Sequence, residues 1–337
     1  SPACAHQPSF VPGRDLLLDN EPTTGYAVQI IIIALLLIAL LVVSLSSGFV
    51  RLPFGRSSAE NVPPEEVEGV ALTTPAADAT IAPTPTLDGA LAADHYWLER
   101  PIAADANDAV DRLYPYGSRG DGTYPVHHGV EFMNPEGTPV LAVAPGTVIV
   151  AGDDSRRAYD ASPDYYGLLV VLQLDLDLDG EPLYALYGHL SEIDVQEGQR
   201  VETGDVLGRV GMTGIATGPH LHFEVRHSRN DYGQTLNPEL WLRPRPGRGT
   251  LAGQVVTYDG EPAAEVGVRL YRAGADIPVD EAFTYPARGV NPDPHRGENL
   301  LFGDLSAGDW TIQIEHRGQI YNRSFTIEAG HTTWITV

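Results

Sequence analysis

Apolar and polar residues follow three different patterns along this chain of 337 residues. Residues 27–50 form one uncharged and almost wholly apolar run, and residues 51–93 combine Pro, Thr, Ala and acidic residues without apolar periodicity. From Asp94 onward, short apolar runs recur between glycines and Asp-Gly pairs. Such spacing is typical of short antiparallel strands. We therefore expect a membrane helix, a tether and then β structure.

The apolar run at residues 27–50 is long enough for a transmembrane helix, which needs roughly 20 residues. A cleaved signal peptide has a shorter apolar core of roughly 7–15 residues, and a buried core helix would show polar positions on one side. We predict an N-terminal tail at residues 1–26, one transmembrane helix at 27–50 and a disordered linker at 51–93.

Residues 94–245 are predicted to form one antiparallel β domain. An Asp179-Gly180 pair between two strand-like runs predicts a hairpin turn. The acidic tract at 175–180 begins like a calcium loop, but it lacks the later glutamate of such a loop and alternates like a strand. The expected strands are 139–144, 147–151, 168–174, 182–187 and 220–226.

Residues 246–337 are predicted to form a small β-sandwich, because apolar and polar residues alternate at 310–315 and 323–327. This part resembles immunoglobulin-like, transthyretin-like or carboxypeptidase-regulatory-like modules that are appended to secreted enzymes. It could bind wall polysaccharide or a protein. Trp310, Trp334 and Tyr321 would stack on sugars if they were exposed, but we favour them as core aromatics. The matching pieces are Gly253-Gln254-Val255, Asp259-Gly260-Glu261-Pro262, Ala307-Gly308-Asp309-Trp310 and Ala329-Gly330-His331-Thr332.

Charge and cysteine content narrow the possible partners and ligands. The formal net charge is -24, from 21 basic and 45 acidic residues, and every basic side chain is an arginine. Binding to phosphates needs a basic face, so nucleic acid is not expected as a partner. Cys4 is the single cysteine. A metal must therefore be held by histidines and carboxylates.

Histidines occur in spacings that suggest a metal site. His220 and His222 lie two residues apart in a predicted strand, so both imidazoles face one side while Leu221 packs on the other. His127 and Glu131 also share a face, but a straight strand would separate them by roughly 13 Å. The chain must curve between them, and Gly129 is where it can. His128 should point away as a packing or surface histidine.

Several segments occur in the order found in a known family. The stretch from about residue 116 to 226 resembles the lysostaphin-type zinc metallopeptidases that cut peptidoglycan cross-bridges. The matching pieces are Tyr116-Gly117-Ser118-Arg119, His127-His128-Gly129-Val130-Glu131-Phe132, Gly137-Thr138-Pro139-Val140, Ala144-Pro145-Gly146-Thr147-Val148, Tyr187-Gly188-His189-Leu190-Ser191, Val201-Glu202-Thr203-Gly204-Asp205, Gly211-Met212-Thr213-Gly214 and Thr217-Gly218-Pro219-His220-Leu221-His222-Phe223-Glu224-Val225-Arg226.

The resemblance implies a role for each candidate residue. It implies an all-β peptidase domain of the duplicated hybrid motif type, holding one Zn²⁺ through His127, Glu131 and His222. It implies that His189 and His220 form the catalytic pair. Three protein ligands leave the fourth zinc position for water. The implied reaction is attack of zinc-bound water on a peptide cross-link of peptidoglycan.

Glu131 departs from the family, whose pattern has an aspartate there. One extra methylene would shift the metal by about an ångström, and a misplacement of that size can cost around a hundredfold in rate. The alternative is therefore a catalytically weak or inactive peptidase-like domain that regulates a cell-wall hydrolase. Retention of all four histidines and a carboxylate favours the enzyme.

The charges beside the apolar run and the expected substrate predict opposite membrane orientations. Arg51 and Arg56 follow the apolar run, and the positive-inside rule alone would place the C-terminal side in the cytoplasm. A peptidoglycan hydrolase must act outside. We expect a single-pass protein of the bacterial cell membrane, with its catalytic domain on the extracytoplasmic side.

Overall fold

The computed structural model describes residues 94–119, 124–155, 159, 162–316 and 318–337. The predicted tail, the transmembrane helix at 27–50 and the linker at 51–93 lie outside the described residues. Among the residues described, no helix is both long enough and apolar enough to cross a membrane. This part of the chain is all-β, with short 3₁₀ helices at Tyr232–Gln234 and Pro238–Leu240.

The N-terminal part of the described chain forms a nine-stranded sheet. Its strands are β1 (Val130–Met133), β2 (Pro139–Leu141), β3 (Gly146–Asp153), β4 (Leu168–Leu178), β5 (Glu181–Ile193), β6 (Arg200–Val201), β7 (Val206–Val210), β8 (His220–His227) and β9 (Thr235–Leu236). The main order is β1-β8-β5-β4-β3-β6, while β7 pairs with β2 and β5, and β9 pairs with β8. Every pairing is antiparallel, as predicted.

The strand predictions differ from the structure mainly at strand ends. The strand expected at 139–144 ends at Leu141. Beyond it, Ala142 donates its N–H to the loop carbonyl of Asp205 at 2.8 Å, so the chain has left the ladder. β4 and β5 continue past their predicted ends, to Leu178 and Ile193.

The turn between β4 and β5 confirms the predicted hairpin. Asp179 has φ of 58° and Gly180 has φ of 79°. Two successive left-handed residues are the requirement of a type I′ turn, which matches the twist of the flanking strands. The carboxylate of Asp177 accepts the N–H of Gly180 at 3.0 Å, which ties the acidic tract to the turn itself.

The C-terminal part contains two smaller sheets. Its strands are β10 (Arg248–Gln254), β11 (Gly267–Arg272), β12 (Asp280–Phe283), β13 (Leu300–Ser306), β14 (Gly308–His316), β15 (Gln319–Ile327) and β16 (Thr332–Thr336). One sheet has the order β13-β10-β16, with β10 and β16 parallel, and the other has the order β12-β11-β14-β15.

Side chains of both C-terminal sheets share one apolar core. Leu251 and Phe302 contribute from the first sheet, and Ile312 and Trp310 from the second. Trp310 is buried, which agrees with a core role, whereas Tyr321 is exposed. The assignment of this part to an immunoglobulin-like class stays a prediction.

The core beneath the nine-stranded sheet includes residues from beyond position 245. Ala252, Tyr285 and Leu301 belong to the same buried cluster as the strands of the large sheet. Arg112 donates through Nη2 to the carbonyl of Gly303 at 2.9 Å, which also ties the two parts together. The C-terminal part therefore completes the packing of the sheet that carries the histidines.

A candidate metal centre built on adjacent strands

Strands β1 and β8 place three of the candidate residues side by side. Glu131 lies directly opposite His222 in the ladder, and Met133 lies opposite His220. Alternation along β8 sends His220 and His222 to one face and Leu221 into the core on the other, as expected from the sequence.

His127 reaches the same place because the chain turns before β1 begins. It lies in the segment that precedes Val130, the first residue of β1. A Cβ on Gly129 would lie 2.6 Å from the carbonyl oxygen of Phe223 and 2.7 Å from the ring of His222. Glycine is therefore needed for this close approach. The predicted bend at Gly129 is confirmed, and the Nε2 atom of His127 lies 2.9 Å from Oε1 of Glu131.

His189 enters the site from β5 through an unusual backbone conformation. Its φ is 61°, a left-handed value that few histidines adopt. Its N–H donates to the carbonyl of Tyr166 at 2.8 Å, and its Nδ1 lies 2.8 Å from the carbonyl oxygen of Thr213. The ring centre lies 4.8 Å from that of His220. This strained left-handed conformation directs the side chain of His189 toward the cluster.

Three of the candidate histidines meet the carboxylate of Glu131, and His189 lies beside them against the ring of His220. Its Oε1 lies 2.9 Å from Nε2 of His127 and 3.0 Å from Nδ1 of His222, while its Oε2 lies 3.0 Å from Nε2 of His220. One ligand atom each of His127, Glu131 and His222 lies within 4.8 Å of the others. These three residues could hold a metal ion.

The donor set fits zinc. Two imidazole nitrogens and one carboxylate are typical ligands of a catalytic zinc site. Oε2 of Glu131 is buried and makes no hydrogen bond of ordinary geometry among the described residues, despite its closeness to His220. A buried carboxylate oxygen in that state is suited to a cation.

Carbonyl oxygens fix which ring nitrogen each histidine offers. Nδ1 of His127 lies 2.6 Å from the carbonyl oxygen of Tyr114, and Nδ1 of His220 lies 2.7 Å from that of Gly218. A carbonyl accepts only, so each Nδ1 carries the proton and each Nε2 faces the site. His189 is held in the same way by Thr213.

Burial and neighbouring charge shift the pKa values of the cluster. Burial would raise the pKa of Glu131, but the charge of His222 and the close contacts of His127, His220 and His222 hold it well below its usual value. Burial would lower the pKa of His222, but Glu131 and Glu224 raise it to about 10. Burial, with the nearby His222 and His220, lowers the pKa of His189 to about 4, so that ring is neutral at neutral pH.

His128 takes no part in the cluster. Its Nδ1 lies 2.8 Å from the hydroxyl of Thr235, and its ring packs 4.0 Å from that of Tyr232, centre to centre. Burial lowers its pKa to about 4. It is a packing histidine, as expected.

Sequence reasoning missed four residues that support the site. The ring of Tyr114 stacks on His127 at 4.2 Å, while Tyr166 and Thr213 hold His189. Glu224 contacts His222 from the side away from Glu131. Glu224 alone had a readable signal, because it continues the face of His220 and His222 along β8. The others are brought in by long-range contacts.

Comparison with known proteins identifies the segment that carries this cluster. Residues 125–238 match the family model described as Peptidase family M23. This segment contains all five candidate residues.

Three curated relatives match the chain over part of their length. The DD-carboxypeptidase/endopeptidase Mpg of Neisseria meningitidis is 36% identical over 124 residues, 37% of this chain and 24% of that protein. The peptidoglycan DD-endopeptidase ShyA of Vibrio cholerae is 36% identical over 114 residues, 34% of this chain and 22% of that protein. Lysostaphin of Staphylococcus staphylolyticus is 34% identical over 142 residues, 42% of this chain and 26% of that protein. The chain thus spans about a quarter of the length of these relatives.

Proposed function

We propose that this protein, which carries a Peptidase family M23 domain at residues 125–238, is a membrane-anchored zinc metalloendopeptidase. Its proposed substrates are the peptide cross-links of bacterial peptidoglycan. The observation that carries the proposal is one buried cluster in which His127, Glu131 and His222 could hold a metal ion. His220 lies 3.0 Å from Oε2 of Glu131, and the ring of His189 lies 4.8 Å from that of His220. The name of Mpg includes an endopeptidase and that of ShyA a peptidoglycan endopeptidase, and both support peptide bonds of peptidoglycan as the substrate class.

His127, Glu131 and His222 would hold the zinc, through Nε2, the carboxylate and Nδ1. Zinc in such a three-ligand site supplies a Lewis acid that lowers the pKa of water and polarises a carbonyl. The site accommodates the extra methylene of Glu131, because the carboxylate already lies within 3.0 Å of nitrogens of His127 and His222. The length of this side chain therefore supports a metal site and does not weigh against one.

His189 and His220 would orient the substrate and move protons. Each keeps Nδ1 occupied by a carbonyl, which leaves Nε2 for the reacting groups. His189 is neutral at neutral pH, so its Nε2 can accept a proton from an attacking water. Burial would lower the pKa of His220, but its contact with Glu131 raises it, so Nε2 can also carry a proton and donate to a developing oxyanion.

The location of the protein is part of the proposal. Peptidoglycan lies outside the cytoplasmic membrane, so the catalytic domain would face the extracytoplasmic side. Residues 27–50 would anchor it in the bacterial cell membrane, and residues 51–93 would span the distance to the wall.

The proposal is tested by digesting purified peptidoglycan with the zinc-loaded full chain and with its His220→Ala variant. We expect soluble fragments from the wild type and a loss of about 10²–10⁴-fold in rate for the variant. Zinc content should be equal in the two proteins. A wild-type chain that binds zinc but releases no fragments would favour the alternative, a regulator of another cell-wall hydrolase.

A further inference from the structure

The imidazole of His222 lies between two carboxylates. Its Nδ1 lies 3.0 Å from Oε1 of Glu131, on the side of the candidate metal centre. Its Nε2 lies 3.0 Å from Oε1 of Glu224, two residues further along β8. A carboxylate oxygen accepts, so Nε2 of His222 is the donor in that second contact.

Glu224 is held from its other side by two buried groups. Nε of Arg226 donates to Oε2 of Glu224 at 2.7 Å, and the hydroxyl of Tyr166 donates to Oε1 at 2.5 Å. The side chains of Glu224 and Arg226 are both 0% exposed. A carboxylate fixed at both oxygens has a single orientation toward His222.

Arg226 is anchored in turn by groups outside the strand. Its Nη1 donates to the side-chain oxygen of Asn230 at 2.8 Å, and its Nη2 donates to the hydroxyl of Tyr166 at 2.9 Å and to the carbonyl of Tyr159 at 3.1 Å. A buried ion pair needs such additional hydrogen bonds to offset its desolvation. The network is therefore a rigid support behind His222.

We propose that Glu224 is a positioning residue for the zinc site, because it accepts Nε2–H of His222 and thereby holds Nδ1 toward the metal. The proposal rests on the zinc site of the proposed function. A ligand histidine normally donates its second ring N–H to a neighbouring acceptor, and loss of that acceptor typically costs about 10–100-fold in metal affinity. His127 has a carbonyl in this role, that of Tyr114, and His222 has Glu224.

The competing explanation is that the Glu224–Arg226 pair serves stability alone. Replacing a buried ion pair by apolar side chains of similar volume is often neutral or stabilising, whereas removing one partner leaves an unpaired charge. A single substitution would therefore change stability and the positioning of His222 at the same time, so both Glu224 and Arg226 must be changed together.

Two double variants of the full chain separate these roles. Glu224→Leu/Arg226→Met removes the ion pair and the acceptor for His222. Glu224→Gln/Arg226→Met removes the same ion pair but keeps an amide oxygen that can accept Nε2–H. Zinc affinity is measured by competition with a chelator, and the Nε2–H resonance of His222 is followed by ¹H–¹⁵N NMR.

We expect the leucine variant to bind zinc about 10–100-fold more weakly than the wild type and to lose the protected Nε2–H resonance. The glutamine variant should keep the resonance and lie within a few-fold of wild-type affinity. Equal affinities in the two double variants, whether weak or strong, would overturn the proposal and assign the pair to stability.

Both readouts are taken without peptidoglycan. Failure of hydrolysis therefore leaves this result intact. If the wild-type chain binds no zinc, the proposed function fails, and the proposed role of Glu224 at a metal site fails with it. A retained Nε2–H resonance would then report only the hydrogen bond to Glu224.

Discussion

At the residue scale, the length of the Glu131 side chain determines where its carboxylate meets the three histidines. Its two oxygens lie 2.9–3.0 Å from nitrogens of His127, His220 and His222. The sequence suggested that a glutamate here would disturb the site. In the structure, the length of the glutamate side chain brings its carboxylate into contact with all three histidines.

Shortening Glu131 should therefore weaken the site. Glu131→Asp withdraws the carboxylate by about one carbon–carbon bond, ~1.5 Å. We expect zinc affinity to fall by about tenfold or more, which corresponds to ~1.4 kcal/mol. Equilibrium competition with a chelator measures this, and Glu131→Gln is the control that keeps the length but removes the charge. A gain in affinity for Glu131→Asp would contradict this interpretation of the site.

At the scale of elements, one buried aspartate shapes the loop that supports His189. The carboxylate of Asp154 accepts the N–H groups of Tyr165 and Tyr166 through Oδ2, at 3.0 and 2.9 Å, and that of Gly167 through Oδ1 at 3.0 Å. Asp154 is completely buried. This cap places the carbonyl of Tyr166 where it accepts the N–H of His189.

Asp154→Asn should destabilise the protein, because an amide nitrogen would face a backbone N–H that needs an acceptor. We expect a loss of about 2 kcal/mol in the free energy of unfolding. Denaturant titration measures it. Asp153→Asn, at the exposed neighbouring position, should stay within about 0.5 kcal/mol of the wild type. Equal losses of unfolding free energy at the two positions would show that the hydrogen bonds to Asp154 do not stabilise the loop.

The sequence predicts individual strands and turns in this chain better than it predicts the long-range contacts between them. Alternation in β8 and the Asp179-Gly180 turn are local signals, and both are confirmed. Gly129 was expected to allow a bend, but the reason for glycine is the close approach of β8, which no local pattern contains. The left-handed conformation of His189 likewise depends on Tyr166 and Thr213, which come together only in the folded sheet.

At the scale of the whole molecule, the C-terminal part supports the site through Tyr285. A Cβ on Gly117 would lie 2.7 Å from the ring of Tyr285, and Gly117 donates its N–H to the carbonyl of His127 at 2.8 Å. Packing from the C-terminal part thus reaches the backbone of a candidate ligand.

Residues 94–245 alone should therefore be less stable than residues 94–337. Removal of the rest uncovers the core surface that Ala252, Tyr285 and Leu301 cover. We expect a lower thermal midpoint and exposed apolar surface that binds a hydrophobic dye. Equal midpoints for the two chains would mean that the large sheet is self-sufficient.

Glu298 makes the stability of this packing depend on pH. Burial raises its pKa to about 8, while the N–H of Asp293 donates to its Oε2 at 2.7 Å. The carboxyl is thus protonated in the folded chain and ionised in the unfolded chain between its ordinary pKa of 4.5 and about 8. The folded state binds more protons there, so this group's contribution to stability is greatest at low pH and falls as pH rises.

Glu298→Gln should remove that dependence. The difference in free energy of unfolding between the variant and the wild type should grow in favour of the variant from pH 5 to pH 8, by up to about 1.4 kcal/mol per pH unit. Urea titrations at a series of pH values measure it. A difference that stays constant with pH would contradict a neutral Glu298 in the fold.

The division of five residues into three ligands and two non-ligands is the central claim, and zinc stoichiometry tests it most directly. Elemental analysis after dialysis should find one zinc per full chain in the wild type and in His189→Ala and His220→Ala. It should find almost none in His127→Ala, Glu131→Ala and His222→Ala. Loss of zinc in the first pair of variants, or its retention in the second set, would contradict the assignment.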